Sequence, residues 1–419
     1  MIRAVKGTRD ILPPSSAIWN KVEEAARRVF TVYNYQEIRT PILEETALFA
    51  RSVGEDTDIV SKEMYTFEDR DGSSLTLRPE STASVLRAYI EHRLDQQPGL
   101  QKLYYIGPMF RRERPQKGRY RQFYQIGAEV IGSESPFIDA EVIEMVIAIL
   151  HELDIRDFQL LLNSVGCKKC RAKFVKVLSE RLKTVAPTMC GDCQRRAEVN
   201  PLRVLDCKVP EDQPVIDSLP SILDYLDEAC RDHFRRVREY LEERQIQFEI
   251  KPRLVRGLDY YTRTTFEITH GALGAQNSIL GGGRYDGLAE SLGSKTPAPG
   301  IGFSIGEDRL VMTVEEKQSV EESTLDLYIA PMGDPALRHC GVLAGEIRKL
   351  GVSVEVGVDH KLKRMMELAN KLRARYTLIV GDNEIVSKSY ALKDMASGEQ
   401  VVLSHQELMH QLSPAGNRS

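Results

Sequence analysis

The sequence predicts an α+β protein in two parts: a strand-rich region interrupted by a helical, cysteine-bearing insertion, then a small α/β domain. Three observations predict it. Strand-like runs occupy much of 72–132 and resume at 262–306. Between them, from about Gly166 to Gln247, strand signals vanish, cysteines cluster and the helical patterns become charged. Beyond a polar stretch at 315–324, strand and helix patterns alternate. A chain of 419 residues exceeds one small core, so two or three domains are expected.

The elements follow in order. Residues 17–33 place Ile18, Trp19, Val22, Ala25, Val29, Phe30 and Tyr33 on one helical face. "QEIRTPILEETALF" at 36–49 opens with a short strand-like run before Pro41. Residues 72–90 give a strand, a proline-marked break and a helix, and 101–132 two strands joined by a charged loop. Ser135 caps and Pro136 opens a helix to about Leu153 that is apolar on most sides, hence buried. "LVRGLDYYTRTTFEI" at 254–268 looks strand-like after Gly257, with strands expected at 262–270, 276–281 and 299–306. The last runs into a helix at "EDRLVMTV", and "EEKQSVEEST" at 315–324 reads as a linker. Strand "LDLYIAP", helix 335–350, strand "VSVEVGV", helix 361–376 and strand "TLIVG" then predict a largely parallel sheet. Leu362, Met365, Ala369 and Leu372 mark the buried face of the second helix.

Composition sets limits. Apolar content of 42% and charged content of 28% describe a globular chain. A net charge of −4 argues against a protein coated in nucleic acid, though not against a local basic surface. The longest apolar run, "VIEMVIAIL" at 142–150, is too short to cross a bilayer, and the N-terminus has no apolar signal region, so a cytoplasmic location is expected. The chain has no GK dipeptide and therefore no Walker-type phosphate loop, and "GIGFSIG" is not a dinucleotide fingerprint.

Several features could carry chemistry. "RRERPQKGRYR" at 111–121 sets six basic residues against one glutamate, a local charge of +5. It is either a solvated hairpin tip or a clamp for phosphate and an RNA end. Glu80 and Glu129 lie in or beside apolar runs where a free carboxylate is expensive, so each is an internal ion pair or a reader of a cationic, hydrogen-bond-donating substrate. Gln125, Tyr260 and Tyr261 add polar tips on an apolar frame. "GGGRYDGL" at 281–288 reads as a glycine-rich turn that lets a ligand approach the backbone. Cys167, Cys170, Cys190 and Cys193 form C-x2-C-x19-C-x2-C, the spacing of one four-cysteine structural zinc site. Cys207, Cys230 and Cys340 have no such spacing and are expected in the core or on helix faces.

Taken together, the motifs resemble the bacterial-type histidyl-tRNA synthetase branch of the class II aminoacyl-tRNA synthetase family over almost the whole chain. "VKGTRDILP" at 5–13 looks like its N-terminal signature, "RTPILEE" like motif 1, "FRRERPQKGRYRQFYQIGAEVIG" like motif 2 and "GIGFSIGEDRL" like motif 3. "LVRGLDYYTRTTFEI" and "GGGRYDGL" are similar to stretches peculiar to the histidine enzymes. The resemblance implies a class II antiparallel-sheet catalytic core at 1–323, with the helical insertion at about 166–247, and an α/β anticodon-binding domain at 324–419. It implies ATP-dependent activation of L-histidine and its transfer to the 3′ end of tRNA(His), with magnesium on the β- and γ-phosphates, in a homodimer.

Carried over residue by residue, the resemblance makes Arg256 and Arg111 the catalytic arginines. Arg256 would stand as a fixed cation where other class II enzymes place a metal ion. Arg111 matches the arginine that holds the ATP α-phosphate and the histidine carboxylate, Glu113, Arg119 and Arg309 match further ATP contacts, and Arg256 counts with Arg111 among the histidine-binding residues. Glu80, Thr82, Gln125, Glu129, Tyr260, Tyr261 and Tyr285 match the histidine pocket, with Glu80 and Thr82 toward the amine and Glu129 and Tyr261 toward the imidazole. Arg114 and Gln116 are candidates for the tRNA acceptor end. Tyr124 stands where many relatives carry histidine, and strand alternation should turn it away from the pocket. The rival readings are a non-catalytic, synthetase-like regulatory subunit of histidine biosynthesis and a histidine or RNA sensor. A regulatory subunit would be expected to lose the 254–268 and 281–288 motifs and the last domain.

Overall fold

The computed structural model describes residues 2–413 except 55, 56, 58, 117, 272–277, 318–324 and 360. Its contacts divide the chain into two units, Met1–Val320 and Glu321–Ser419.

The early strands of the first unit are β1 (Gln36–Glu37), β2 (Leu43–Glu45), β3 (Tyr65–Glu68), β4 (Ser74–Leu77), β5 (Gln101–Phe110) and β6 (Gln122–Ile131). Later come β7 (Phe158–Ser164), β8 (Glu249–Ile250), β9 (Thr262–His270), β10 (Ser278–Arg284) and β11 (Gly300–Gly306). Eight of them form one sheet in the order β1-β5-β6-β11-β10-β9-β7-β8. The six inner strands are antiparallel to one another throughout. The two-residue edge strands β1 and β8 pair in parallel. β2, β4 and β3 make a separate antiparallel sheet.

Alternation along the strands sorts side chains to two faces. Ile126, Ala128 and Val130 of β6 and Ile301, Phe303 and Ile305 of β11 point into one core, with Trp19, Val22 and Phe30 of helix Ser15–Val32 and the apolar face of helix Pro136–Glu152. Ser135 caps that second helix by accepting from the Phe137 N–H at 3.3 Å. The opposite face meets helix Thr82–Glu91 and the insertion helices Lys168–Val185 and Gly191–Val199, whereas the insertion's last helix, Glu228–Glu243, puts Phe234, Val237 and Leu241 into the first core.

Three boundaries differ from expectation. Residues 254–261 are loop, because Tyr260 and Tyr261 are buried by packing under the cavity rather than by strand pairing. β10 extends through Arg284, so "GGGR" lies inside the sheet and not in a turn; residues 276–277 are outside the described set. Helix Glu307–Lys317 takes in the first part of the stretch read as linker, and 318–324 are outside the described residues.

That helix starts on a buried carboxyl. Glu307 is fully buried, and neither oxygen makes a hydrogen bond among the described residues. Burial, then the nearby Glu23 charge, push its pKa up to about 9. The folded chain therefore keeps a proton that the unfolded chain releases near the ordinary value of 4.5, and stability declines from that pH through about 9. Glu307→Gln should raise the melting temperature at pH 8 by about 2–4 °C and by less at pH 5. Thermal melts with the same shift at both pH values would refute this.

In the second unit, β12 (Leu327–Pro331), β13 (Val354–Val356), β14 (Tyr376–Val380), β15 (Ser389–Asp394) and β16 (Gln400–Ser404) form a sheet in the order β13-β12-β14-β15-β16. β12 is parallel to β13 and β14, whereas β14-β15 and β15-β16 are antiparallel. The sheet is mixed rather than the largely parallel one expected, because "SYALKD" and "QVVLS" close it with an antiparallel hairpin. The second helix ends at Lys371, with Leu372 as its cap and 38% exposed, so Met365 and Ala369 are the fully buried members of the expected face. Cys340 is buried in this unit's core, as expected.

Candidate active site

On the face of the large sheet opposite helix Ser15–Val32 lies a cavity of about 900 Å³. Its floor is made by missing side chains. Gly281 and Gly283 of β10 and Gly300 and Gly302 of β11 sit at alternate positions on this face, while Ile301, Phe303 and Ile305 fill the other. Each small residue is required by a neighbour. A Cβ on Gly281 would lie 2.0 Å from Arg256 Nη2, one on Gly302 1.7 Å from Glu129 Oε2, and one on Gly300 2.4 Å from the Tyr285 ring.

Gln125 and Glu129 reach the cavity from β6 because they share the face of Gly127 and Ile131. Tyr124 points away, edge-on to Trp19 with ring centroids 5.3 Å apart. Glu129 is 1% exposed, and burial pushes its carboxyl up to about 8. Its Oε1 accepts from Thr82 Oγ1 at 2.7 Å. Its Oε2, Gln125 Oε1 and the Tyr285 hydroxyl are buried and make no hydrogen bond among the described residues. Glu80 accepts from the Thr82 and Ala83 amides at 2.8 and 3.0 Å, so it caps helix Thr82–Glu91 as well as lining the cavity. Burial raises the Glu80 pKa, and those amides oppose the rise. The Tyr260 hydroxyl reaches Glu80 at 3.5 Å, and the Tyr260 ring stands between Tyr261 and Tyr285 at centroid distances of 4.9 and 6.1 Å.

The cationic wall is equally built. Arg111 donates Nε to the Pro79 carbonyl at 2.9 Å and lies over the Phe123 ring. Glu113 bridges Arg119 at 3.1 Å and Arg111 at 3.8 Å. Arg309 donates to the Ser278 and Gly118 carbonyls. Arg256 lies on the bare backbone of Gly281 and is ion-paired to Glu267. Its own carbonyl accepts from Arg203 Nη1 at 3.1 Å. Arg114 and Gln116 are exposed on the loop, where Gln116 and Arg119 form a bridge.

The N-terminal signature buttresses this wall. Arg9 pairs with Asp308 at 2.7 Å and lies over the Tyr120 ring, and Asp308 also accepts the Tyr124 amide at 3.0 Å.

Sequence reasoning missed Glu267, Arg203 and the floor glycines of β11, whereas those of β10 were singled out in "GGGRYDGL", though as a turn. The signal for the β11 glycines was the small-large alternation of "GIGFSIG". It also missed Arg284, fully buried and held by Asp139 at 2.6 Å, which fixes the chain direction next to Tyr285.

The single four-cysteine zinc site does not form. Cys167 and Cys170 cluster with Asp227 and Cys230, whereas Cys190 and Cys193 cluster with Cys207 and Asp212. Cys207 and Cys230, expected to be bystanders, are members of these clusters, because the insertion folds each C-x2-C pair onto a different later segment.

A nucleotide-sized cavity floored by antiparallel strands and walled by arginines is the arrangement expected of a class II aminoacyl-tRNA synthetase. Residues 7–310 match the family described as "Histidyl-tRNA synthetase", and residues 326–413 match "Anticodon binding domain". The chain belongs to the histidyl-tRNA synthetase family. It is 69% identical over 417 residues to a protein named histidine–tRNA ligase from Solibacter usitatus, covering 100% of both chains. Apo histidyl-tRNA synthetase from S. aureus superposes with a TM-score of 0.82 at 38% identity, covering 98% of this chain and 100% of that one. A Bacillus halodurans structure titled as an ATP phosphoribosyltransferase regulatory subunit/histidyl-tRNA synthetase reaches 0.65 at 20% identity, covering 91% and 98%; that likeness is one of fold alone.

Proposed function

We propose that this chain is a working histidine–tRNA ligase whose first unit performs both half-reactions and whose second engages the tRNA(His) anticodon. The histidine carboxylate attacks the α-phosphorus of ATP, and the bond to the leaving pyrophosphate breaks. The terminal ribose hydroxyl of tRNA then attacks the acyl carbon, and AMP departs. The first step needs no general base, since the carboxylate is ionised at neutral pH. It needs alignment and charge neutralisation, which Arg111 and Arg256 supply on two sides of the α-phosphate. Glu113, Arg119 and Arg309 hold the rest of the nucleotide. Magnesium would supply charge neutralisation at the outer phosphates, and Glu113 and Glu267, among the carboxylates that line the cavity, would be candidates to hold it.

Histidine is read by Glu80, Thr82, Gln125, Glu129, Tyr260, Tyr261 and Tyr285. The observation that carries this reading is the convergence of three unsatisfied buried atoms, Glu129 Oε2, Gln125 Oε1 and the Tyr285 hydroxyl, on one cavity. Such atoms call for a ligand rich in donors, and they penalise any amino acid that leaves them unpaired. Arg114 and Gln116 meet the tRNA acceptor end. Exposed Ile42, Leu43 and Phe67, on and beside the three-stranded sheet, support a homodimer through the motif 1 region. No helix among the described residues is long and apolar enough to cross a membrane. The proposed location is the cytoplasm.

Histidine-dependent exchange of pyrophosphate into ATP tests the whole reading. Robust exchange with histidine alone among the amino acids is expected. A chain that bound histidine yet exchanged nothing would instead be a sensor or regulatory subunit.

A further inference from the structure

We infer that the helical insertion holds two divalent, thiolate-seeking ions of the zinc class, one in each of its two separate clusters of three cysteines and one aspartate. In each cluster the four ligand atoms lie within 4.8 Å of one another. The edges fit a tetrahedron. Zinc–sulfur bonds of about 2.3 Å and zinc–oxygen bonds of about 2.0 Å set sulfur–sulfur edges near about 3.8 Å and sulfur–oxygen edges near about 3.5 Å. Cys167 and Cys170 have their sulfurs 3.6 Å apart, and Cys190 and Cys207 have theirs 3.9 Å apart. The carboxylate edges are 3.4 Å from Cys167 to Asp227 and 3.3 Å from Cys207 to Asp212.

Backbone amides already point at the sulfurs, from Asp227 to Cys170 at 3.1 Å and from Val209 to Cys207 at 3.4 Å. These are donors suited to thiolate ligands. All seven cysteines are free. Four protein ligands close each site, so the ions are structural and have no open position for chemistry.

The two ions do different work. The first joins the start of helix Lys168–Val185, which Cys167 precedes, to the start of helix Glu228–Glu243, capped by Asp227. The second sits in the wall of the active-site cavity, which Cys190 and Cys207 line. Cys207 directly follows the short helix Pro201–Asp206, and that helix carries Arg203, the donor to the Arg256 carbonyl. The second ion therefore positions Arg256, a consequence that rests on the function proposed above.

Full-length protein purified without chelator should contain two zinc ions per chain by elemental analysis. A mercurial thiol reagent should release both to a colorimetric chelator. Cys230→Ser and Cys207→Ser should each retain one ion. Cobalt loaded in their place should give thiolate charge-transfer absorption at half the wild-type intensity in either variant. Asp227→Asn and Asp212→Asn serve if a serine variant does not fold. Fewer than two ions in the wild type, or two retained by a variant of either cluster, overturns the inference. Pyrophosphate exchange should fall about 10- to 100-fold in Cys207→Ser and stay near wild type in Cys230→Ser. Equal exchange in both variants removes the positioning role and leaves the ions standing. A wild type that holds two ions but exchanges nothing removes the proposed function alone.

Discussion

Arg256→Ala is expected to reduce histidine-dependent pyrophosphate exchange about 100- to 1000-fold while leaving the fold and histidine binding near normal. The size follows from removing one fixed charge that stabilises the transition state in a site that excludes water. The fold should survive because Arg256 lies on the surface of the cavity, and its ion-pair partner Glu267 is itself 17% exposed. Gly281→Ala provides an independent route to the same result. The new methyl would fall 2.0 Å from Nη2, and the guanidinium, as the far end of a long side chain, would move rather than the sheet. The alanine variant should therefore keep its melting temperature and lose exchange. Near-normal turnover in Arg256→Ala would end the assignment. Near-normal turnover in Gly281→Ala would show that the observed guanidinium position is not the working one.

Glu129→Gln should raise the KM for histidine about 10- to 100-fold, the worth of a charge-assisted hydrogen bond, with little change in the KM for ATP. The pH dependence is more discriminating. In the empty cavity Glu129 holds its proton up to about pH 8, and free imidazole is neutral above about pH 6.5. Between those values a protonated carboxyl meets a neutral imidazole, and one proton serves the pair, so affinity should be flat. Below about 6.5 binding must release a proton, and above about 8 it must take one up; affinity falls on both sides. The histidine amine titrates identically for both proteins, so the difference between wild type and Glu129→Gln isolates the alkaline limb. Isothermal titration at several pH values that showed the same limb in both would exclude Glu129 as its source.

These expectations show which parts of the site a sequence exposes. Gln125 and Glu129 were legible as polar groups in an apolar run, and the structure places both on the cavity. Arg111 and Arg256 were legible through their motifs. The role of the floor glycines was not, since a glycine in a strand says nothing about what replaces its side chain; here the occupants are Arg256, Tyr285 and Glu129 from other strands and loops. Glu267 stood 11 residues after Arg256 in the same stretch, yet only the turn at 257–261 brings the two together. Spacing revealed the C-x2-C pairs but not their partners, because Asp227 and Cys230 follow Cys170 by about 60 residues and no local pattern spans that distance. In the second unit the alternating helices and strands were read, and the closing hairpin was lost because β16 is almost wholly exposed and β15 buries only Tyr390 and Leu392.

The sheet order also imposes a schedule on synthesis. β6 has β11 as its permanent neighbour, and β11 emerges only about 170 residues later. At translation speeds of about 5–20 residues per second, the open edge of β6 waits roughly 10–35 seconds for that partner. During this interval a flat row of backbone donors and acceptors flanked by Ile126, Val130 and Ile131 is available to any other nascent strand. Ribosome-stalled chains ending before residue 300 should be degraded by brief protease treatment at 122–131, and chains extended well past residue 317 should resist it. The half-made enzyme, unlike the finished one, should be a client for chaperones.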